Sequence, residues 1–126
     1  MCPQAMKYCR IRLYFNATSY HSHWLLSLSL DVFSHVGGFG LAALANGAEH
    51  ALAVDGSAAA LALAEDGAKR LGQGDRFATR QGDAFEVLGQ LAEEGARFDL
   101  VICDPPAFAP NKQALEAGLR PYGRVA

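Results

Sequence analysis

The sequence predicts an α/β fold in which a parallel sheet carries helices on both faces. Three observations predict it. Short apolar runs alternate with Ala- and Leu-rich stretches of helical period, in the order βαβαβαβ with short links. Several of those runs close on an acid, the residue type that open α/β sheets place at their ligand-binding edge. The first run ends at Asp31 and leads into Val36-Gly37-Gly38-Phe39-Gly40, a strand-to-helix turn with enough glycine to bring backbone close to a ligand.

Taken in order, residues 1–23 have no clear period, and residues 1–27 are expected to be irregular and outside the domain. Residues 25–33 read as the first strand. Their Leu-Ser-Leu-Ser-Leu alternation suits a half-buried strand better than the apolar centre of a parallel sheet. Gly38 to Asn46 read as a short helix with Leu41 and Leu44 on one face, and Asn46-Gly47 is a stop signal. His50 to Asp55 form the second strand. Ser57 is a good N-cap for a helix that uses Leu61, Leu63 and Ala64 and stops near Gly72. Gly67 inside it costs roughly 1 kcal/mol relative to alanine.

Arg76 to Gln81 make a third, weaker strand. Gly82-Asp83 turns into a helix over 84–94, with Phe85, Leu88 and Leu91 at helical spacing. Phe98 to Cys103 is the clearest strand, and Asp104-Pro105-Pro106 stops it. Residues 111–119 are expected to be helical. Leu100-Val101-Ile102-Cys103 is apolar at consecutive positions, which fits a strand covered on both faces with a neighbour on each side. No later strand is evident to fill the second side, and a bare apolar edge is a liability. The expectation is therefore that residues 28–126 form the first part of a larger domain.

Composition narrows the function. The chain has 126 residues, is 51% hydrophobic and 19% charged, and carries a formal net charge of −2. That suits one globular domain and argues against binding nucleic acid by phosphate neutralisation alone. Cys2, Cys9 and Cys103 are scattered without CxxC spacing, so neither a disulfide framework nor a zinc site is expected. His21 and His23 lack a third ligand nearby, and no metal is expected. No apolar run reaches the about 18 residues of a membrane span. Lys7, Arg10 and Arg12 precede an apolar stretch, Trp24 to Leu30, but serines interrupt it and no small-x-small cleavage site follows. A cytoplasmic protein is expected, in which the sequon at Asn16-Ala17-Thr18 has no role.

Four places carry candidate chemistry. Gly37, Gly38 and Gly40 let the backbone approach a ligand, and the amides that open the next helix offer it donors. The same glycines would serve a plain tight turn. Asp55 ends the second strand, where an acid in doubly wound folds accepts bonds from ribose hydroxyls; its other reading is an exposed turn residue beside the Ser57 cap. Asp83 can meet an adenine amino group, with Ala84 and Phe85 beside the ring, and it can equally cap its own helix. Asp104-Pro105-Pro106 forms a rigid loop after the fourth strand, with Phe108 placed to stack on a base. Cys103 reads as a buried small residue, because nothing basic adjoins it to activate a thiolate. Lys112, Arg120 and Arg124 are surface cations by default, with phosphates as their alternative partners.

These motifs share one order: Asp31-x-Phe-Ser-His-x-Gly-Gly-Phe-Gly40, Val54-Asp55, Gly82-Asp83-Ala-Phe85 and Asp104-Pro-Pro-Ala-Phe108, with Asn111-Lys112 and Tyr122 downstream. The set resembles the class I S-adenosylmethionine-dependent methyltransferases, which have a Rossmann-like fold. It is similar in particular to the bacterial 23S rRNA (cytosine-C5) methyltransferases of the large-subunit type I family, over roughly residues 28–124. The resemblance implies S-adenosylmethionine as cofactor and rRNA as partner. Phe33, His35, Gly37 and Gly38 would line the methionine end. Asp55, next to Ser57, would hold the ribose, and Asp83 with Ala84 the adenine. Asp104, Pro105 and Pro106 would border the target base. The family's chemistry uses a cysteine thiolate that adds to C6 of cytosine, and that cysteine would belong to a motif beyond residue 126. Residues 1–27 do not resemble the RNA-binding PUA-like domain that opens family members.

Three alternatives stay open at this point. Asp-Pro-Pro-aromatic also marks methylation at an exocyclic amine of guanine or adenine, where Asp104 would accept the amine's hydrogen bond. A dinucleotide-binding fragment would need Gly-x-Gly-x-x-Gly, which Val36 to Gly40 does not supply. The third is a binding module without catalysis.

Overall fold

The computed structural model describes residues 28–104, the backbone of 12–15 and 124–125, and Ala117 and Leu119. In chain order the elements are β1 (Arg12–Phe15), β2 (Leu28–Val32), α1 (Gly38–Ala45), β3 (His50–Asp55), α2 (Ala58–Arg70), β4 (Phe77–Gln81), α3 (Ala84–Glu93), β5 (Leu100–Cys103) and β6 (Arg124–Val125). One sheet joins the strands in the order β4-β3-β2-β5-β1-β6. The β4-β3-β2-β5 portion is parallel throughout. This is the α/β fold with a four-stranded parallel sheet that the alternating pattern predicts.

Strand alternation sorts the core into two faces. On one, Ala51 and Ala53 of β3 and Phe77 of β4 meet Leu44 of α1, Ala48 after it, and Leu61, Ala64 and Ala68 of α2. The small residues let both helices lie close to the sheet. On the other, Leu30, Val32, Val54, Val101 and Cys103 meet Ala84, Val87, Leu88 and Leu91 of α3, together with Phe98 and Leu119. Each fully buried leucine or valine contributes roughly 1.5–3 kcal/mol relative to an exposed one.

The structure departs from the sequence expectation in two places. β2 is not half-buried: only Leu28 is exposed, and Ser29 to Val32 are buried. Parallel neighbours on both edges and helices on both faces leave this strand no solvent side. Its polar positions, Ser29 and Asp31, pair with Ala51 and Ala53 and so share the α1/α2 face. Second, β5 does have a neighbour on its far side. β1 runs antiparallel to it, with Arg12 opposite Cys103 and Phe15 opposite Leu100, and β6 pairs with β1 in turn. The strand that covers the apolar edge comes from the stretch expected to be irregular. The expected helix over 111–119 lies outside the described residues except for Ala117 and Leu119, which are helical.

Candidate functional site

Because β2, β3, β4 and β5 are parallel, their carboxyl ends share one edge of the sheet. Val32 pairs with both Val54 and Cys103, and Asp55 pairs with Gln81. The turns leaving that edge carry Phe33, His35, Gly37 and Gly38, then Asp55 and Ser57, then Asp83 and Ala84, and finally Asp104, whose amide donates to the Val32 carbonyl at 3.3 Å. The structure thus brings nine candidate positions to one edge. Pro105, Pro106 and Phe108 lie outside the described residues.

The turn after β2 is built against local preference. Phe33 (φ 59°) and His35 (φ 51°) are both left-handed without being glycine, and Gly37 (φ 80°) follows. Each such non-glycine residue costs on the order of 1–3 kcal/mol and persists only where its surroundings impose it. Here they do. The Ser34 amide donates to the Val54 carbonyl at 3.0 Å, and the Gly37 amide to the Ser34 carbonyl at 2.8 Å. The His35 amide donates to Asp55 Oδ2 at 2.8 Å.

That turn delivers the start of α1 with no cap of its own. Gly37 is the N-cap residue, and no side chain there bonds the first turn. The acceptor comes from β2 instead: Asp31 Oδ2 takes the Gly40 amide at 3.0 Å. The amides of Gly38 and Phe39 head the helix, where no helical carbonyl can reach them. A Cβ added at Gly38 would meet no atom of the described residues within 4 Å, so they leave the backbone there open.

Asp31 is the site residue that the motif reading leaves without a role. Its side chain is wholly buried, and neither its Oδ1 nor the Oγ of buried Ser34 has a partner among the described residues. Burial pushes the Asp31 carboxyl up to about 6; the Gly40 amide opposes the rise, and Asp104 and then Asp55 add to it. The signal was present in the sequence as an acid closing an apolar run directly before the glycines.

The other acids are also committed locally. Asp55 Oδ1 accepts the Ser57 amide at 2.8 Å while its Oδ2 holds His35. Each carboxylate oxygen keeps a second lone pair for another donor. Ser57 Oγ accepts the Ala60 amide at 3.2 Å and so caps α2, as expected. Asp83 Oδ2 caps α3 through the amides of Phe85 and Glu86, at 3.1 and 3.2 Å, and its Oδ1 makes no bond among the described residues. Ala84 is buried in the α3-side core, so it offers backbone rather than side chain at this edge. Cys103 packs in that same core and is wholly buried.

A family model described as "Conserved hypothetical protein 95" matches residues 12–120. The chain belongs to that family. The match begins at Arg12, the first residue of β1, and so takes in part of the stretch read as lying outside the domain. The ribosomal RNA large subunit methyltransferase I of Vibrio cholerae is 38% identical over 96 residues, which is 74% of this chain and 24% of that protein. Among solved structures, SMU.776, named as a methyltransferase and complexed with SAH, is 25% identical with a TM-score of 0.64, covering 72% of this chain and 24% of its own. A conserved hypothetical protein of Streptococcus pyogenes is 28% identical with a TM-score of 0.66, covering 75% of this chain and 57% of its own. The fold is that of the S-adenosylmethionine-dependent methyltransferases, as the motifs implied. The chain spans about a quarter of the length of the curated relative it matches.

Proposed function

We propose that this chain forms the cofactor-binding part of an S-adenosylmethionine-dependent methyltransferase acting on ribosomal RNA in the cytoplasm. The observation that carries the reading is the convergence of Asp31, Asp55 and Asp104 on the edge where α1 begins, close enough for the latter two to raise the first. Three acids at that edge favour a ligand bearing ammonium and sulfonium charges. They disfavour a pyrophosphate, which a glycine turn alone would accept.

The residues present fit that cofactor. The open amides of Gly38 and Phe39 suit its carboxylate. The second lone pairs of Asp55 suit the ribose hydroxyls, and the unbonded Asp83 Oδ1 suits the adenine amine. Phe33 and His35 border the methionine end, and Asp104 borders the target base. When bound, S-adenosylmethionine supplies an electrophilic methyl group. The chain's own part is to orient that group and to hold the charges around it.

The name of the Vibrio relative supports rRNA as the substrate. Cytosine C5 of 23S rRNA is the target that the motif resemblance favours. Cys103 is not the attacking thiolate of such a reaction, because it is buried in the core.

Calorimetric titration with S-adenosylhomocysteine and, separately, with NAD tests the cofactor. Binding of S-adenosylhomocysteine with no heat from NAD is expected. Tighter binding of NAD would sink the reading.

A further inference from the structure

Asp55 makes more bonds to its own chain than a ribose ligand needs. Its Oδ2 accepts from His35 in the turn after β2, and its Oδ1 from Ser57 in the turn after β3. Its backbone carbonyl accepts the Gly82 amide, at 3.1 Å, in the turn after β4. One residue therefore ties together three of the four turns that leave this edge of the sheet. The bond to His35 falls where the chain is left-handed at a non-glycine residue. That is a place where the conformation holds only if something outside the turn imposes it.

We infer that Asp55 is a positioning residue that latches the strained glycine turn to the cap of α2, in addition to any contact it makes with a cofactor. The latch exists in the ligand-free chain, and only its effect on affinity rests on the cofactor reading above. Loss of the carboxylate releases the turn that sets Gly37, Gly38 and the start of α1. Asp55 thus couples the ribose end of the cradle to the methionine end. An asparagine there is close in shape but keeps a single side-chain acceptor for two amides.

Hydrogen exchange of the ligand-free 126-residue chain tests the latch, comparing Asp55→Asn with the parent. Exchange at His35 to Gly38 is expected to quicken by about tenfold or more relative to β5 in the same molecule, the scale of losing a charge-assisted bond. Unchanged exchange at the turn, or acceleration in step with β5, overturns the inference. A second measurement separates the latch from a plain ribose contact. Affinities of the parent and Asp55→Asn are measured for S-adenosylhomocysteine and for its 2′,3′-dideoxy analogue. A latch makes the substitution weaken the analogue by a factor of about ten, and S-adenosylhomocysteine, which also loses its ribose contact, by at least as much. A ribose contact alone leaves the analogue's affinity unchanged, and that result also overturns it. If neither ligand binds the parent chain, the cofactor reading fails and the exchange result alone decides the latch.

Discussion

The three helices that start at the ligand edge start in two different ways. α2 and α3 are closed by side chains at their own N-caps: Ser57 takes the Ala60 amide, and Asp83 takes those of Phe85 and Glu86. α1 begins at a left-handed glycine with no side-chain cap, and its acceptor among the described residues, Asp31, reaches across from β2 to the third amide of the helix. The amides of Ala58 and Ala59 in α2 still make no bond among the described residues, so the number of free donors does not separate that helix from α1. Gly38 and Phe39 of α1 likewise make no bond among the described residues; what α1 adds is a start without a capping side chain and with no described atom within 4 Å of a Cβ at Gly38. The glycine start, rather than a surplus of free donors, sets α1 apart, because backbone there can approach a ligand with no side chain between them. It also explains why Asp31 is buried while Asp83 is exposed. A carboxylate that must cap α1 without obstructing its outer surface has to approach from underneath.

The largest expected effect comes from breaking the glycine start of α1. A Cβ at Gly37 would sit 2.8 Å from the Cβ of Ala64 and 3.2 Å from Phe77 Cζ, on backbone at φ 80°. Ala64 is fixed on α2 and has no rotamer to yield. Left-handed strain and overpacking together predict that Gly37→Ala destabilises by roughly 3 kcal/mol. Ser57→Ala, which removes a side-chain cap from α2, is expected to cost only about 1 kcal/mol. Urea midpoints of the two variants against the parent check the ordering. Equal losses would mean that the two helix starts do not differ as described.

The next effect follows from the borrowed cap. The folded Asp31 carboxyl titrates near 6, above its ordinary 3.8. Between those values the folded chain holds the proton more firmly than the unfolded chain does. Asp31 therefore lowers stability as pH rises through that window, and its full cost is present above pH 6. The difference amounts to at most about 3 kcal/mol. Asp31→Asn keeps an acceptor for Gly40 and removes the charge. Its unfolding free energy is expected to fall less than the parent's between pH 4.5 and 7.5, measured by urea titration at both. Parallel pH profiles would show that the buried acid carries no such cost.

Much of this was legible in the sequence. His50 to Asp55 and the starts of all three helices follow from periodicity, caps and glycine. These are local signals, and local hydrogen bonding enforces them. β1 was not legible, because Arg12–Phe15 is too short to show a period and is a strand only through its partner β5, far along the chain. β2 misled for the opposite reason: its serine alternation looked like a solvent face, but Ser29 is buried beside Ala51. The candidate site was readable as a set of turns. The roles of Asp31 and Asp55 as backbone acceptors were not, since both reach amides that only the folded sheet brings near.

The smallest effect on stability, and the sharpest test of the comparison, lies one residue beyond Gly37. Gly38 is the first residue of α1, lies outside the left-handed region, and has no atom of the described residues within 4 Å of an added Cβ. Alanine there fits the helix and reduces the freedom of the unfolded chain, so Gly38→Ala is expected to leave stability unchanged or to raise it by a few tenths of a kcal/mol. The same methyl group would project into the space before the open amides. S-adenosylhomocysteine affinity is therefore expected to fall by about tenfold or more, which a calorimetric titration beside a urea curve would measure. Adjacent glycines would then separate the two duties of the turn, with Gly37 holding it closed against α2 and Gly38 holding it open toward the ligand. A Gly38→Ala chain that keeps both its stability and its affinity would remove the start of α1 from the binding site.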